Sequence, residues 1–155
     1  MGAMATWGEF EAEQPVLADN VRARFDVRKH KTLATLRPGG APRISGIEVE
    51  FDGGQLCLGM MPDSVKLQDL RRDPRLAVHS PTEDATEGAE ADWPGEAKIA
   101  GRAVEVGSPD APVEDAGRFA IDISEVAFTH LNDAGDLLVI ESWHPGRGLR
   151  SIERS

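Results

Sequence analysis

Two glycine-marked breaks constrain this chain more than any other feature. Residues 31–36 alternate polar and apolar side chains, Pro38, Gly39 and Gly40 turn the chain, and residues 43–51 alternate again. Asp52, Gly53 and Gly54 then supply a second tight turn before Leu56, Cys57, Leu58 and Gly59. Alternation puts successive side chains on opposite faces of a strand. The spacing therefore predicts an antiparallel hairpin extended by a third strand into a meander. On the second strand it places Arg43, Ser45 and Ile47 on one face, with Ile44, Gly46 and Glu48 on the other. The first of these faces is a candidate ligand surface; a solvent-facing strand is the alternative.

Residues 56–78, LCLGMMPDSVKLQDLRRDPRLAV, read as strand, polar turn, short helix and strand. Pro62, Asp63 and Ser64 carry turn and N-cap chemistry, and a helix is predicted over 65–72. Asp73 and Pro74 stop it, because the residue before proline disfavours the helical region. A helix of about two turns adds little stability by itself. Its N-terminus is more useful: unpaired N–H groups and the helix dipole favour a phosphate, with the Ser64 hydroxyl and the Lys66 ammonium beside it. The plainer role is a capped connector whose Lys66, Arg71, Arg72 and Arg75 are solvated.

Elsewhere, Leu17, Val21 and Phe25 recur every four residues and predict a helix over 16–27. Residues 76–79 suit a fourth strand. Residues 81–96 hold six acids and no base, and no packed element is expected there. Residues 96–106 suggest a bulged strand in which Gly101 admits another backbone or a flat ligand, or simply turns a barrel corner. Residues 108–116 read as a polar connector with a helical turn, and 121–128 and 137–143 as two further strands. Six or seven short strands with two helices predict a mainly β fold, a small antiparallel barrel. The expected organisation is a flexible segment over 1–15, one domain over 16–148 with an acidic loop at 81–96, and a tail over 149–155.

With 155 residues, one domain is the expectation. The formal charge of −10 argues against nucleic acid or an anionic membrane as a partner. Basic residues are nonetheless concentrated early, at Arg22, Arg24, Arg28, Lys29, Lys31, Arg37 and Arg43, so a local site for a small anion is compatible with that total. No apolar run approaches the roughly 20 residues of a membrane span, and the N-terminus lacks a signal pattern, so a cytoplasmic location is expected. The single Cys57 excludes an intrachain disulfide and reads as a small core residue. No GxSxG elbow, GxxxxGK[ST] loop or GxGxxG turn is present, which removes the main support for hydrolase, nucleotidase and Rossmann readings. The four histidines lack metal-ligand spacing.

Four stretches, KTLATLRPGGAPRISGIEVEF, LCLGMMPDSVKLQDLRRDPRLAV, GEAKIAGRAVEV and IESWHPGRG, make the chain resemble the flavin-binding split β-barrel proteins of the pyridoxamine 5′-phosphate oxidase-like superfamily. The resemblance implies a split β-barrel homodimer with FMN, or a deazaflavin (coenzyme F-420), in a groove between subunits, and a small-molecule substrate. It implies that Ser64 and Lys66 receive the phosphate, that Arg43 and Ser45 lie beside the ribityl chain, and that Met60 and Met61 touch the cofactor edge. Ordinary packing is the other role for the two methionines. Trp143, His144 and Arg147 would cap a ring or bind an anionic substrate from the partner subunit, or else Trp143 packs at the dimer seam. The ending SWHPGRGLRSIERS departs from the substrate-binding pattern of the vitamin-forming oxidase. Haem is a further cofactor for this scaffold, and a non-catalytic cofactor-binding dimer is the alternative to a flavin- or deazaflavin-dependent oxidoreductase.

Overall fold

A computed structural model describes residues 2–107 and 117–155. The connector expected at 108–116 lies outside them. The element order is α1 (Trp7–Glu13), α2 (Pro15–Asp26), β1 (Lys31–Leu36), β2 (Pro42–Asp52), β3 (Gln55–Gly59), α3 (Val65–Arg72), β4 (Arg75–His79), β5 (Glu96–Glu105), β6 (Arg118–Leu131), β7 (Leu138–His144) and β8 (Gly148–Arg154). All strand pairings are antiparallel, in the order β3-β2-β1-β4-β5-β6-β7-β8. A further pairing of β3 with β6 closes the first six strands into a barrel.

The two turns behave as their glycines require. Gly40, Gly53 and Gly54 all have positive φ, a region that costs other residues steric energy. Leu33, Ile47, Leu56, Leu58, Ile99 and Ile123 fill the barrel, and α2 covers one end with Leu17, Val21 and Phe25. Cys57 is buried on the face of β3 opposite Leu56 and Leu58, and burial pushes its thiol above the ordinary range, which keeps it protonated.

The N-terminal segment expected to be flexible is instead folded. Residues 7–13 form α1, opened by a capping box in which Thr6 and Glu9 each accept from the other's backbone N–H at 3.1 Å. Trp7 and Phe10 are buried, and the Phe10 ring sits 5.2 Å from Trp7 and 4.9 Å from Trp143. Ala5 exchanges two backbone hydrogen bonds with Ile123. Two aromatic side chains in a small core outweigh the entropy of ordering one short helix. Thr6→Ala should therefore lower global stability by about 1 kcal/mol, read from the urea midpoint; an unchanged midpoint would mean that α1 is not part of the cooperative unit.

The tail is also structured, because β8 pairs along the length of β7. Its residues are mostly exposed, so it lacks the alternation that marks a strand in sequence. The acidic loop carries a 3-10 turn at Glu90–Asp92 and is tied down at both ends. Arg24 pairs with Glu83 at 2.6 Å, Arg28 donates to the Thr82 carbonyl at 2.7 Å, and the Trp93 indole donates to the Glu83 carbonyl at 2.7 Å.

The irregularity expected in β5 is present with a different cause. Gly101 pairs with Ile123 and Ala100 with Glu125, so the extra residue is Ser124 on β6, whose hydroxyl donates to the Ala100 carbonyl at 3.1 Å. β5 keeps its alternation throughout, and Val104 points outward.

Candidate functional site

α3 forms as its sequence dictates. Ser64 is the N-cap, its Oγ accepting from the Leu67 N–H at 3.3 Å, and Asp73 is the C-cap before Pro74. The first-turn N–H groups of Val65 and Lys66 have no intrahelical acceptor. At this end of the helix Ser64 and Lys66 line a groove of about 600 Å³, with Met60, Met61, His30, Gly46, Glu48, Gly59 and Arg118. Lys66 Nζ donates to the Gly46 carbonyl at 2.5 Å, which fixes its ammonium over β2.

Gly46 and Gly59 leave the strand floor bare: a Cβ at either would meet nothing within 4 Å. Met60 packs its side chain partly on the core, and its N–H donates to the Gly117 carbonyl at 2.9 Å, holding the end of β3 in place. Met61 is 76% exposed at the lip. The groove's charges are mixed. Glu48 lies 3.5 Å from both Lys29 and His30, and the Arg118 guanidinium lies 3.6 Å and 3.5 Å from Glu50 and Asp52. Lys66 has no carboxylate partner among the described residues.

Four predicted residues, Met60, Met61, Ser64 and Lys66, thus converge, and four do not. Arg43 and Ser45 lie on the inward face of β2, with Ile47, Val49 and Phe51, not on the groove face. Arg43 Nε donates to Asp69 at 2.6 Å, and Ser45 Oγ is buried without a partner. Burial alone would raise the Asp69 carboxyl, but hydrogen bonds from Arg43, Thr35 and Arg72, with the charge of Arg43, outweigh it and hold the carboxyl below the usual range. Trp143 is 1% exposed in the core against Phe10, and Arg147 sits exposed in the β7–β8 turn beside His144. Neither side chain reaches the groove of its own chain.

The groove residues missed in sequence are His30, Gly46, Glu48, Gly59 and Arg118. A signal for two of them existed. Ile47, Val49 and Phe51 share a face with Arg43, and three apolar side chains in alternation turn that face to the core, which leaves Gly46 and Glu48 outside. His30 and Arg118 arrive from distant parts of the chain and carried no such signal. Each histidine has a carboxylate or carbonyl neighbour, and no cluster of metal-ligating side chains occurs among the described residues.

No family model matches the sequence, and no curated protein matches it. Solved structures do match its shape. A pyridoxamine 5′-phosphate oxidase-related, FMN-binding protein from Nostoc punctiforme superposes with a TM-score of 0.60 at 12% identity, over 92% of this chain and 96% of that one. PhzG from Burkholderia lata, in complex with tetrahydrophenazine-1-carboxylic acid, gives 0.62 at 12% identity, over 95% and 92%. A haem-binding protein from Mycobacterium smegmatis gives 0.53 at 20% identity, over 86% of this chain and 57% of that one. With six strands closed by β3 and β6, and α3 set between β3 and β4, this chain has the split β-barrel fold of these structures.

Proposed function

We propose that this protein binds FMN in the α3 groove and serves as a flavin-dependent oxidoreductase for a small molecule. One observation carries the reading: a helix N-terminus capped by Ser64, with a Lys66 that has no carboxylate partner among the described residues, shares a groove with a bare floor at Gly46 and Gly59. A phosphate suits the N–H groups and the ammonium, and a flat ring suits a floor without side chains. A structural neighbour described as FMN-binding has the same fold, which makes FMN the first ligand to test.

The bound flavin would supply the electron and hydride chemistry. The chain's own tasks are to hold and shield it. Lys66 and the first turn of α3 neutralise the phosphate, and Met60 gives the groove an apolar wall. This division accounts for a site with no constellation of acid, base and nucleophile. A homodimer belongs to the same reading, because a second copy over the exposed sheet face would close an otherwise open groove.

A deazaflavin tail would call on Lys29, Lys31, Arg37 and Arg43 along a longer groove, and the geometry favours FMN over it. Lys31 is buried and donates to the Arg28 and Lys29 carbonyls at 2.7 and 2.9 Å, and burial pulls its ammonium below the ordinary range. Arg43 is committed to Asp69, Arg37 donates to its own turn at the Pro42 carbonyl, and Lys29 pairs with Glu48.

Titration with FMN, the deazaflavin and haem, followed by fluorescence or absorbance and by melting temperature, tests the reading; FMN should raise the melting temperature by mass action. Lys66→Ala should weaken FMN by about 1 to 3 kcal/mol through loss of a charge-assisted contact. Unchanged affinity would remove Lys66 from the site. Reduction of the bound flavin by NAD(P)H, with turnover of an acceptor, separates an oxidoreductase from a protein that only binds the cofactor.

A further inference from the structure

The groove floor continues across the sheet. Directly paired residues of antiparallel strands project from the same face. Pairings Gly46 with Thr32, Thr32 with His79, and His79 with Lys98 therefore lay one row across β2, β1, β4 and β5. The next row is Ile44, Ala34, Ala77 and Ala100. Small side chains make this a shallow trough that starts at Gly46, under the Lys66 ammonium, and ends at Lys98. Three strand spacings of about 4.8 Å make that run about 14 Å.

The far end is a pocket of about 470 Å³, apolar at Ala34, Ile44 and Ala77, and closed by Pro81 and Thr82 where the acidic loop begins. Its charged groups are Lys98 and His79. Lys98 is exposed and makes no ion pair or hydrogen bond among the described residues. His79 Nδ1 lies 2.7 Å from the Ser80 carbonyl, which accepts a hydrogen bond from its N–H, so Nε2 is the ring atom left for a ligand. Glu96 lies 3.9 Å from that Nε2.

We propose that this pocket binds a small carboxylate carried on a flat apolar body. The carboxylate lies on Lys98, with His79 beside it, and the body lies over Ala34, Ala77 and Ile44. An uncommitted ammonium at the rim of an apolar trough suits that pairing of charge and surface. The proposal deepens the flavin reading and rests on it for the role of substrate: the groove at Lys66 and this pocket share one face of the sheet and meet where Gly46 pairs with Thr32. The anion site itself can be tested without flavin.

The experiment is a titration of the full chain with benzoate, with and without FMN, followed by backbone amide shifts, with benzyl alcohol as the neutral counterpart. Benzoate should shift the amides of Thr32, Ala77, His79 and Lys98, benzyl alcohol should do so at least tenfold more weakly, and Lys98→Ala should weaken benzoate at least tenfold. FMN affinity should change less than twofold in that variant. Equal benzoate binding by Lys98→Ala, shifts located elsewhere, or a response of these amides to protein concentration with none to benzoate would each overturn the proposal. Localised benzoate shifts in a protein that takes up no FMN would sustain the anion site and remove the flavin reading.

Discussion

Gly101→Ala should destabilise the fold by about 3 kcal/mol or more, one of the largest effects available to a single methyl group in this chain. The cause is the backbone of the neighbouring strand. A Cβ at position 101 would lie 2.0 Å from the Asp122 carbonyl oxygen and 3.1 Å from the Ile123 Cα, and main-chain atoms cannot swing aside as a side chain can. The clash falls where Ser124 is bulged out of β6, so relief requires moving the most extensive strand pair in the barrel. Urea denaturation of Gly101→Ala beside Gly59→Ala makes the comparison. Position 59 has no atom within 4 Å of its added Cβ, and its substitution should change stability by less than about 1 kcal/mol. Equal midpoints for the two variants would refute the steric account.

Asp69→Ala should lower stability by about 3 to 5 kcal/mol, the range for removing one partner of a buried charged network. In a domain of this size that is a melting-temperature loss on the order of 10 °C. The Asp69 side chain is 1% exposed and accepts from Thr35 at 2.8 Å, Arg43 at 2.6 Å and Arg72 at 3.1 Å. Arg72 also donates to the Leu36 carbonyl, so the network ties α3 to the hairpin of β1 and β2. Truncation leaves the buried Thr35 hydroxyl unpaired and the Arg43 guanidinium, 21% exposed, without its counter-ion.

A pH signature accompanies the loss. The folded Asp69 carboxyl lies below its unfolded value near 4, so the folded state binds fewer protons there. Its contribution is complete above that unfolded value and disappears as pH falls through the lower folded value. The difference in stability between wild type and Asp69→Asn should therefore be constant at neutral pH and shrink below about pH 4. A difference that stays constant into the acid range would place the carboxyl outside the network. The same network orients α3, so Asp69→Ala should weaken FMN as well, through a displaced helix terminus.

Local chemistry was legible wherever one residue type has one steric or capping consequence. Positive-φ glycines marked the turns, Ser64 and the Asp73-Pro74 pair bounded α3 to the residue, and the spacing of Leu17, Val21 and Phe25 gave the helix that covers the barrel end. Alternation gave the strands but not which face looks inward, and Arg43 and Ser45 were assigned to the ligand on the wrong side for that reason. A side-chain period of two is indifferent to inside and outside until a core exists. Short elements that gain their order from distant partners were illegible too. α1 is held by Ile123, Gly54 and Trp143, and the acidic loop by Arg24 and Arg28.

The candidate site divides along the same line. Its helix end, Ser64 and Lys66, was readable because a capped helix start creates its own field within one turn of chain. The rest of the groove, with His30, Gly46, Gly59 and Arg118, and the trough that runs on to Lys98, exists only through strand register. Sequence by itself determined an antiparallel barrel with a Ser-capped helix start after the third strand, because those follow from alternation, turns and caps among near neighbours. Only the tertiary structure decided the closure of β3 on β6, the face that meets solvent and the trough across four strands, because these depend on pairings between residues far apart in the chain.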